Sequence, residues 1–102
     1  MHRASDRVEQ AEWLERLNEA AESLGLDPTT TTTAADLYLS AVPDDDRSKP
    51  PQLAASLYAA SLIDGDGRTQ TAVAEAVGVS RLVVQDRWKA VLRSAGFQPP
   101  DW

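Results

Sequence analysis

From Val8 to Leu24 apolar residues recur at spacings of three and four (Val8, Ala11, Leu14, Leu17, Ala21, Leu24), the pattern of one buried helix face. Glu9, Glu12, Glu15, Glu19 and Glu22 fill the other side, a solvated face. A helix is therefore expected from about Ser5 to Leu24, closed by Gly25. Asp27-Pro28 opens a second, with Asp27 as N-cap and proline in the first turn. Thr29 to Thr33 follow, and threonine is a mediocre helix former, so this run is expected to fray or delay the helix start. Ala34, Leu37, Tyr38 and Ala41 supply the stripe, and Pro43 ends it.

Pro43 to Arg47 reads as a polar loop. Ser48 and the pair Pro50-Pro51 then start a third helix, thick with small residues (Leu53, Ala54, Leu57, Ala60, Ser61, Leu62). Such a helix packs closely on all sides and belongs at the centre of a bundle. Asp64-Gly65-Asp66-Gly67 breaks it. A fourth helix begins at the Thr69 cap, and a fifth runs from Arg81 to about Ala95. Leu82, Val84, Trp88, Val91, Leu92 and Ala95 are expected to face the core, and Gly96 ends the helix. In the tail the prolines hold the chain extended, and Phe97 and Trp102 are candidates to dock back on the bundle. No strand is expected. The fold class is all-α, a single five-helix domain over residues 1–96 with a tail over 97–102.

The stretch from Arg68 to Ala95 has the layout of a helix-turn-helix. Gly78 stands where the chain must turn sharply, and Ala74 lets two helices approach. Val73, Val77, Val79, Leu82 and Val84 would lock the pair, with Ser80 as N-cap of the second helix. Such a motif over residues 69–95 points to nucleic-acid reading.

Charge complicates that picture and then supports it. The whole chain carries a net charge of -6, which argues against a general polyanion binder. Residues 1–67 hold five Arg/Lys against thirteen Asp/Glu. Residues 68–95 reverse the balance, with five (Arg68, Arg81, Arg87, Lys89, Arg93) against two (Glu75, Asp86). A basic edge on an acidic body can hold a phosphate backbone, although five cations over this length also fit an ordinary solvated face.

Other chemistry is sparse. There is no cysteine, so disulfides and thiolate metal sites are excluded, and the single histidine, His2, is near the start of the chain. The triple aspartate Asp44 to Asp46 and the DGDG run lack the spacing and closing carboxylate of a calcium loop. No nucleophile–base pair or phosphate-cradling loop is present, so neither an enzyme nor a cofactor is expected. Without a membrane span or a signal-type apolar segment, a soluble, cytoplasmic protein is expected. Sixteen carboxylates against two lysines and eight arginines suit solubility in concentrated salt and point to a halophilic source.

From Leu14 onward the chain resembles the cyclin-like repeat of archaeal transcription initiation factor B, the counterpart of eukaryotic factor IIB. Three segments carry the resemblance: Glu15 to Leu26 (ERLNEAAESLGL), Arg47 to Leu62 (RSKPPQLAASLYAASL) and Arg68 to Leu92 (RTQTAVAEAVGVSRLVVQDRWKAVL). The resemblance implies a five-helix cyclin-like bundle and a role in transcription. Factors of this family place a zinc ribbon before two such repeats. The ribbon engages RNA polymerase, the repeats clamp TATA-binding protein on promoter DNA, and the second repeat's helix-turn-helix reads an element beside the TATA box. With no cysteine and one repeat, this sequence is not a complete initiation factor, and a homodimer could replace the missing repeat.

The recognition helix departs from the family pattern V-T-x-x-T-[IV]-R-x-R-[YW]. Here it reads Val79-Ser80-Arg81-Leu82-Val83-Val84-Gln85-Asp86-Arg87-Trp88, with Gln85 in place of an arginine, Val83 in place of threonine, and an added negative charge at Asp86. Arg81, Gln85 and Arg87 are the expected base-edge or groove-wall contacts. Arginine suits guanine, and glutamine can bond an adenine edge. Arg68, Thr69, Gln70, Lys89 and Arg93 are the expected phosphate contacts. The alternative is a protein-interaction module whose acidic half engages TATA-binding protein or another transcription component without reading DNA.

Overall fold

The computed structural model describes residues 4–98, with side chains from residue 10 onward. Five α-helices and one short 3-10 turn make up the described chain: α1 (Ala4–Ser23), α2 (Pro28–Ser40), the turn Asp46–Ser48, α3 (Lys49–Ile63), α4 (Gln70–Val77) and α5 (Arg81–Ser94). Among the described residues there is no strand, and no helix is long and apolar enough to cross a membrane. The architecture is an all-α cyclin-like bundle.

The bundle is arranged around α3. Every residue from Gln52 to Ser61 on it is buried, and each of the other four helices packs against it. Ala54, Ala55, Ala59, Ala60, Ser56 and Ser61 keep its girth small enough for neighbours to approach on every side. Larger side chains from around it complete the core: Leu17 of α1, Leu37 and Tyr38 of α2, Val73 of α4, and Val84, Trp88 and Val91 of α5. Tyr58 of α3 meets the Trp88 ring edge to face, centroids 5.4 Å apart at 82°.

The chain enters α2 without delay, which corrects the expectation for the threonine run. Thr31, Thr32 and Thr33 turn their hydroxyls back to the carbonyls of Asp27, Pro28 and Thr29, four residues earlier, at 3.0–3.1 Å. The side chains thereby support the helix geometry rather than compete with it, and Thr30 is buried against the bundle. Asp27 holds the N-cap position in an extended conformation, but its carboxylate makes no capping bond; its carbonyl takes the Thr31 N–H and hydroxyl instead. Ser48 likewise leads into α3 without a side-chain cap. In the preceding loop Asp45 caps the 3-10 turn by accepting from Arg47 N at 3.0 Å.

Two apolar assignments are also corrected. Ala11 is exposed, and the face α1 buries runs through Trp13, Leu14, Leu17, Ala20, Ala21 and Leu24. The side chain of Val8 lies outside the described residues, as does Trp102. Leu82 on α5 is 61% exposed, because at 3.6 residues per turn it stands well round the helix from Val84, Trp88 and Val91. Phe97 stays about half exposed after the Gly96 turn that ends α5. One buried group was not anticipated: Lys49, 3% exposed, pairs with Asp46 at 2.8 Å and lies over the Trp13 ring.

The α3 packing yields a direct test. Ala59→Leu should destabilise the domain by about 1–3 kcal/mol through overpacking, whereas Ala11→Leu on the exposed face of α1 should stay within about 0.5 kcal/mol of wild type. Urea-denaturation midpoints followed by helical circular dichroism check both.

Candidate nucleic-acid interface

Local sequence sets the geometry of α4 and α5. Thr69 caps α4, its hydroxyl accepting from Ala72 N at 3.0 Å. Gly78 ends the helix at φ +91°, and the N–H groups of Gly78 and Val79 both return to the Ala74 carbonyl, at 2.8 and 3.0 Å. A side chain at position 78 would meet open space, so it is the left-handed backbone alone that calls for glycine. Ser80 then caps α5 by accepting from Val83 N at 3.3 Å. Three residues thus separate two capped helices. Val73, Ala74, Val84 and Trp88 bury the inner side, with Val77 and Val79 packed against them.

Helical phase sorts the polar residues of α5, together with Leu82, into three groups. Arg81, Gln85 and Lys89 follow one another at i, i+4 and i+8 along the flank beside α4. Leu82, Asp86 and Arg93 face outward and are exposed. Arg87 stands about 160° round the helix from Gln85, on the other flank and half-buried. The structure therefore brings Arg81 and Gln85 together and does not bring Arg87 to them. Gln70, from the first turn of α4, bridges that pair: it accepts from Arg81 Nη1 at 3.3 Å and donates through Nε2 to Gln85 Oε1. Lys89 lies over the Trp88 ring at 5.6 Å, and Arg93 is exposed in the last turn.

Arg68 and Thr69 have jobs inside the fold. The Arg68 guanidinium donates to the carbonyls of Leu24 and Gly25 at 2.9 and 3.1 Å and to the Asp66 carboxylate at 2.8 Å. It clips the turn before α4 to the turn between α1 and α2. Thr69 is committed as the α4 cap.

Charge is segregated in space as well as along the chain. Among the described residues α1, with Glu12, Glu15, Glu19 and Glu22 exposed against Arg16, makes no packing contact with α5, which carries Arg81, Arg87, Lys89 and Arg93 against Asp86. A groove lined by Asp36, Leu37, Ile63, Ala95 and Phe97 opens near the far end of α5. Among the described residues no group of three or more His, Cys, Asp or Glu is placed to hold a metal ion.

No family model matches the chain. It is, however, 32% identical over 87 residues to transcription initiation factor IIB of Pyrococcus abyssi, a match covering 82% of this chain and 29% of that protein. Transcription initiation factor IIB 1 of Thermococcus kodakarensis is 31% identical over the same length and shares of the two chains. A stretch of 36 residues is 53% identical to transcription initiation factor IIB 1 of Thermoplasma volcanium, covering 35% of this chain and 12% of that one. The chain is a repeat of the transcription initiation factor IIB family. It spans 29% of the length of the Pyrococcus and Thermococcus relatives.

Within this factor IIB-family repeat, sequence reasoning missed Leu82 as a surface residue. The signal was available in the helical phase: Leu82 precedes Val84 by two positions, and residues two apart on a helix point to nearly opposite sides. The Arg68 clip was not readable, because its acceptors are carbonyls more than forty residues away.

Three substitutions separate these roles by stability. Arg68→Met should cost roughly 2 kcal/mol, since it strands carbonyl and carboxylate acceptors that the guanidinium satisfies. Thr69→Ala should cost about 1 kcal/mol as a lost N-cap, while Leu82→Ser should shift stability by no more than about 0.5 kcal/mol. Thermal unfolding of the three variants checks the ranking, and a large loss in Leu82→Ser would contradict its outward position.

Proposed function

We propose that this chain is a transcription factor or regulator that contacts promoter DNA through α4 and α5, used as a helix-turn-helix. The observation that carries the reading is the joining of Arg81 and Gln85 by Gln70 at the start of α5, all three exposed or part-exposed. The family relationship supports it, since the relatives are named transcription initiation factors.

In this reading the start of α5 enters the major groove. Arg81 and Gln85 meet base edges, and the exposed Leu82 on the adjoining outward face offers an apolar surface to a thymine methyl. Lys89 and Arg93, further along the helix, hold phosphates, and the first turn of α4 at Thr69 and Gln70 approaches the backbone as helix N-termini do. Arg87, on the opposite flank, reaches the groove wall. Arg68 contributes by fixing the turn that aims α4. Asp86 on the outward face repels phosphate and accepts from cytosine N4 where one is in reach.

Fluorescence anisotropy with labelled duplexes across a salt series tests this. Lys89→Ala and Arg93→Ala should each weaken binding uniformly across sequences and lower the salt slope by about one. Arg81→Ala combined with Gln85→Ala should instead relax sequence preference, by roughly 1–3 kcal/mol per lost base contact. Unchanged binding of the double variant to every duplex would remove the assignment.

The groove between α2, the end of α3 and the end of α5 favours a second use. Ile63 and Phe97 are exposed there beside the Asp36 carboxylate, a surface suited to a protein partner such as TATA-binding protein. Recovery of that protein by the chain in the absence of DNA would support this reading.

A further inference from the structure

Arg81, Gln70 and Gln85 form one chain of hydrogen bonds across the α4–α5 junction. Its polarity follows from chemistry, because a guanidinium has donors only. Gln70 must turn its oxygen to Arg81, which leaves its NH2 group to face Gln85. Gln85 can meet that NH2 only with its own oxygen, so its amide nitrogen is left on the side away from α4. The direction of the whole chain is thus set at one end by Arg81 and transmitted through Gln70.

We propose that Gln70 is a specificity-determining residue that acts by positioning Gln85. With the relay in place, Arg81 and Gln85 both present N–H donors outward, and the base step they read must carry acceptors, guanine above all. In the major groove guanine shows two acceptors, N7 and O6, whereas cytosine shows a donor and adenine one of each. An unrestrained glutamine uses both ends of its amide on adenine. Gln85 has its oxygen turned toward Gln70 and reads with its nitrogen. A mismatch is costly because two donors meeting in the groove leave each other unsatisfied once water is expelled. This inference rests on the DNA-reading role proposed above and names the base that role selects.

Exchange of the middle residue tests the relay. In Gln70→Glu the carboxylate has acceptors only, so Arg81 still donates to it, and Gln85 must rotate to offer its NH2 inward. Its oxygen then faces outward and calls for a base donor, cytosine N4 or adenine N6. Glutamate at the first position of α4 is also favourable with respect to the helix N-terminus, so the fold is retained. Binding selection from a randomised duplex library at fixed salt, followed by sequencing, compares the two proteins.

Wild type should enrich guanine at one position, and Gln70→Glu should shift that same position toward cytosine or adenine by about tenfold relative to guanine. Gln70→Met, which removes the relay without adding charge, should erase the distinction between guanine and adenine there. Enrichment of guanine by Gln70→Glu as strongly as by wild type, whatever its overall affinity, would overturn the relay and leave DNA reading intact. A wild-type pool with no enriched base at any position would remove base reading and the relay with it.

Discussion

A helix buried on all sides imposes a geometry on everything around it, and α3 is such a helix. Its small residues bring the neighbours close, and its apolar and small polar surface demands that no side be left uncovered. Four other helices are needed to close that surface, which is why a chain of this length spends most of its residues on helix. The positions of α4 and α5 follow: both pack on α3, and Trp88 of α5 meets Tyr58 of α3 edge to face. The orientation of the α4–α5 surface is therefore a by-product of how the core is filled.

The surface itself is made by short-range chemistry on that frame. Glycine in the left-handed region at Gly78, a threonine cap and a serine cap define where α4 stops and α5 starts. Arg68 holds the chain just before α4 to the turn after α1, so two turns far apart in sequence are tied through one side chain. With the helices so placed, Gln70 falls opposite Arg81 and Gln85, residues more than ten positions away in sequence.

Much of this was legible in the sequence because it depends on periodicity and local caps. The number and order of helices, the central role of the small-residue helix, the Gly78 turn and the Thr69 and Ser80 caps all follow from residue types at fixed spacings. What was not legible depends on partners far along the chain or on phase at a helix start. Leu82 looks like one more apolar position, but its angle relative to Val84 and Trp88 turns it to solvent. The threonine run looks like a weak helix start until each hydroxyl is seen to bond the carbonyl one turn back. The expected phosphate contacts included Arg68 and Gln70, whose cationic and polar character is plain in sequence. Their partners on other elements of the fold are not, since these lie eleven or more positions away along the chain.

The separation of α1 from α5 has an electrical consequence for motion in solution. An acidic helix and a basic helix that do not touch, in a body with principal extents of 38 × 27 × 25 Å, give the molecule a dipole moment as well as a net charge of -6. A polyanion repels the whole and, at the same time, exerts a torque that turns the α5 side toward itself. Both effects are screened over about 8 Å at physiological ionic strength, and the torque fades with distance faster than the repulsion. The molecule is therefore turned only by a charged neighbour that is already close, and added salt weakens that turning together with the repulsion.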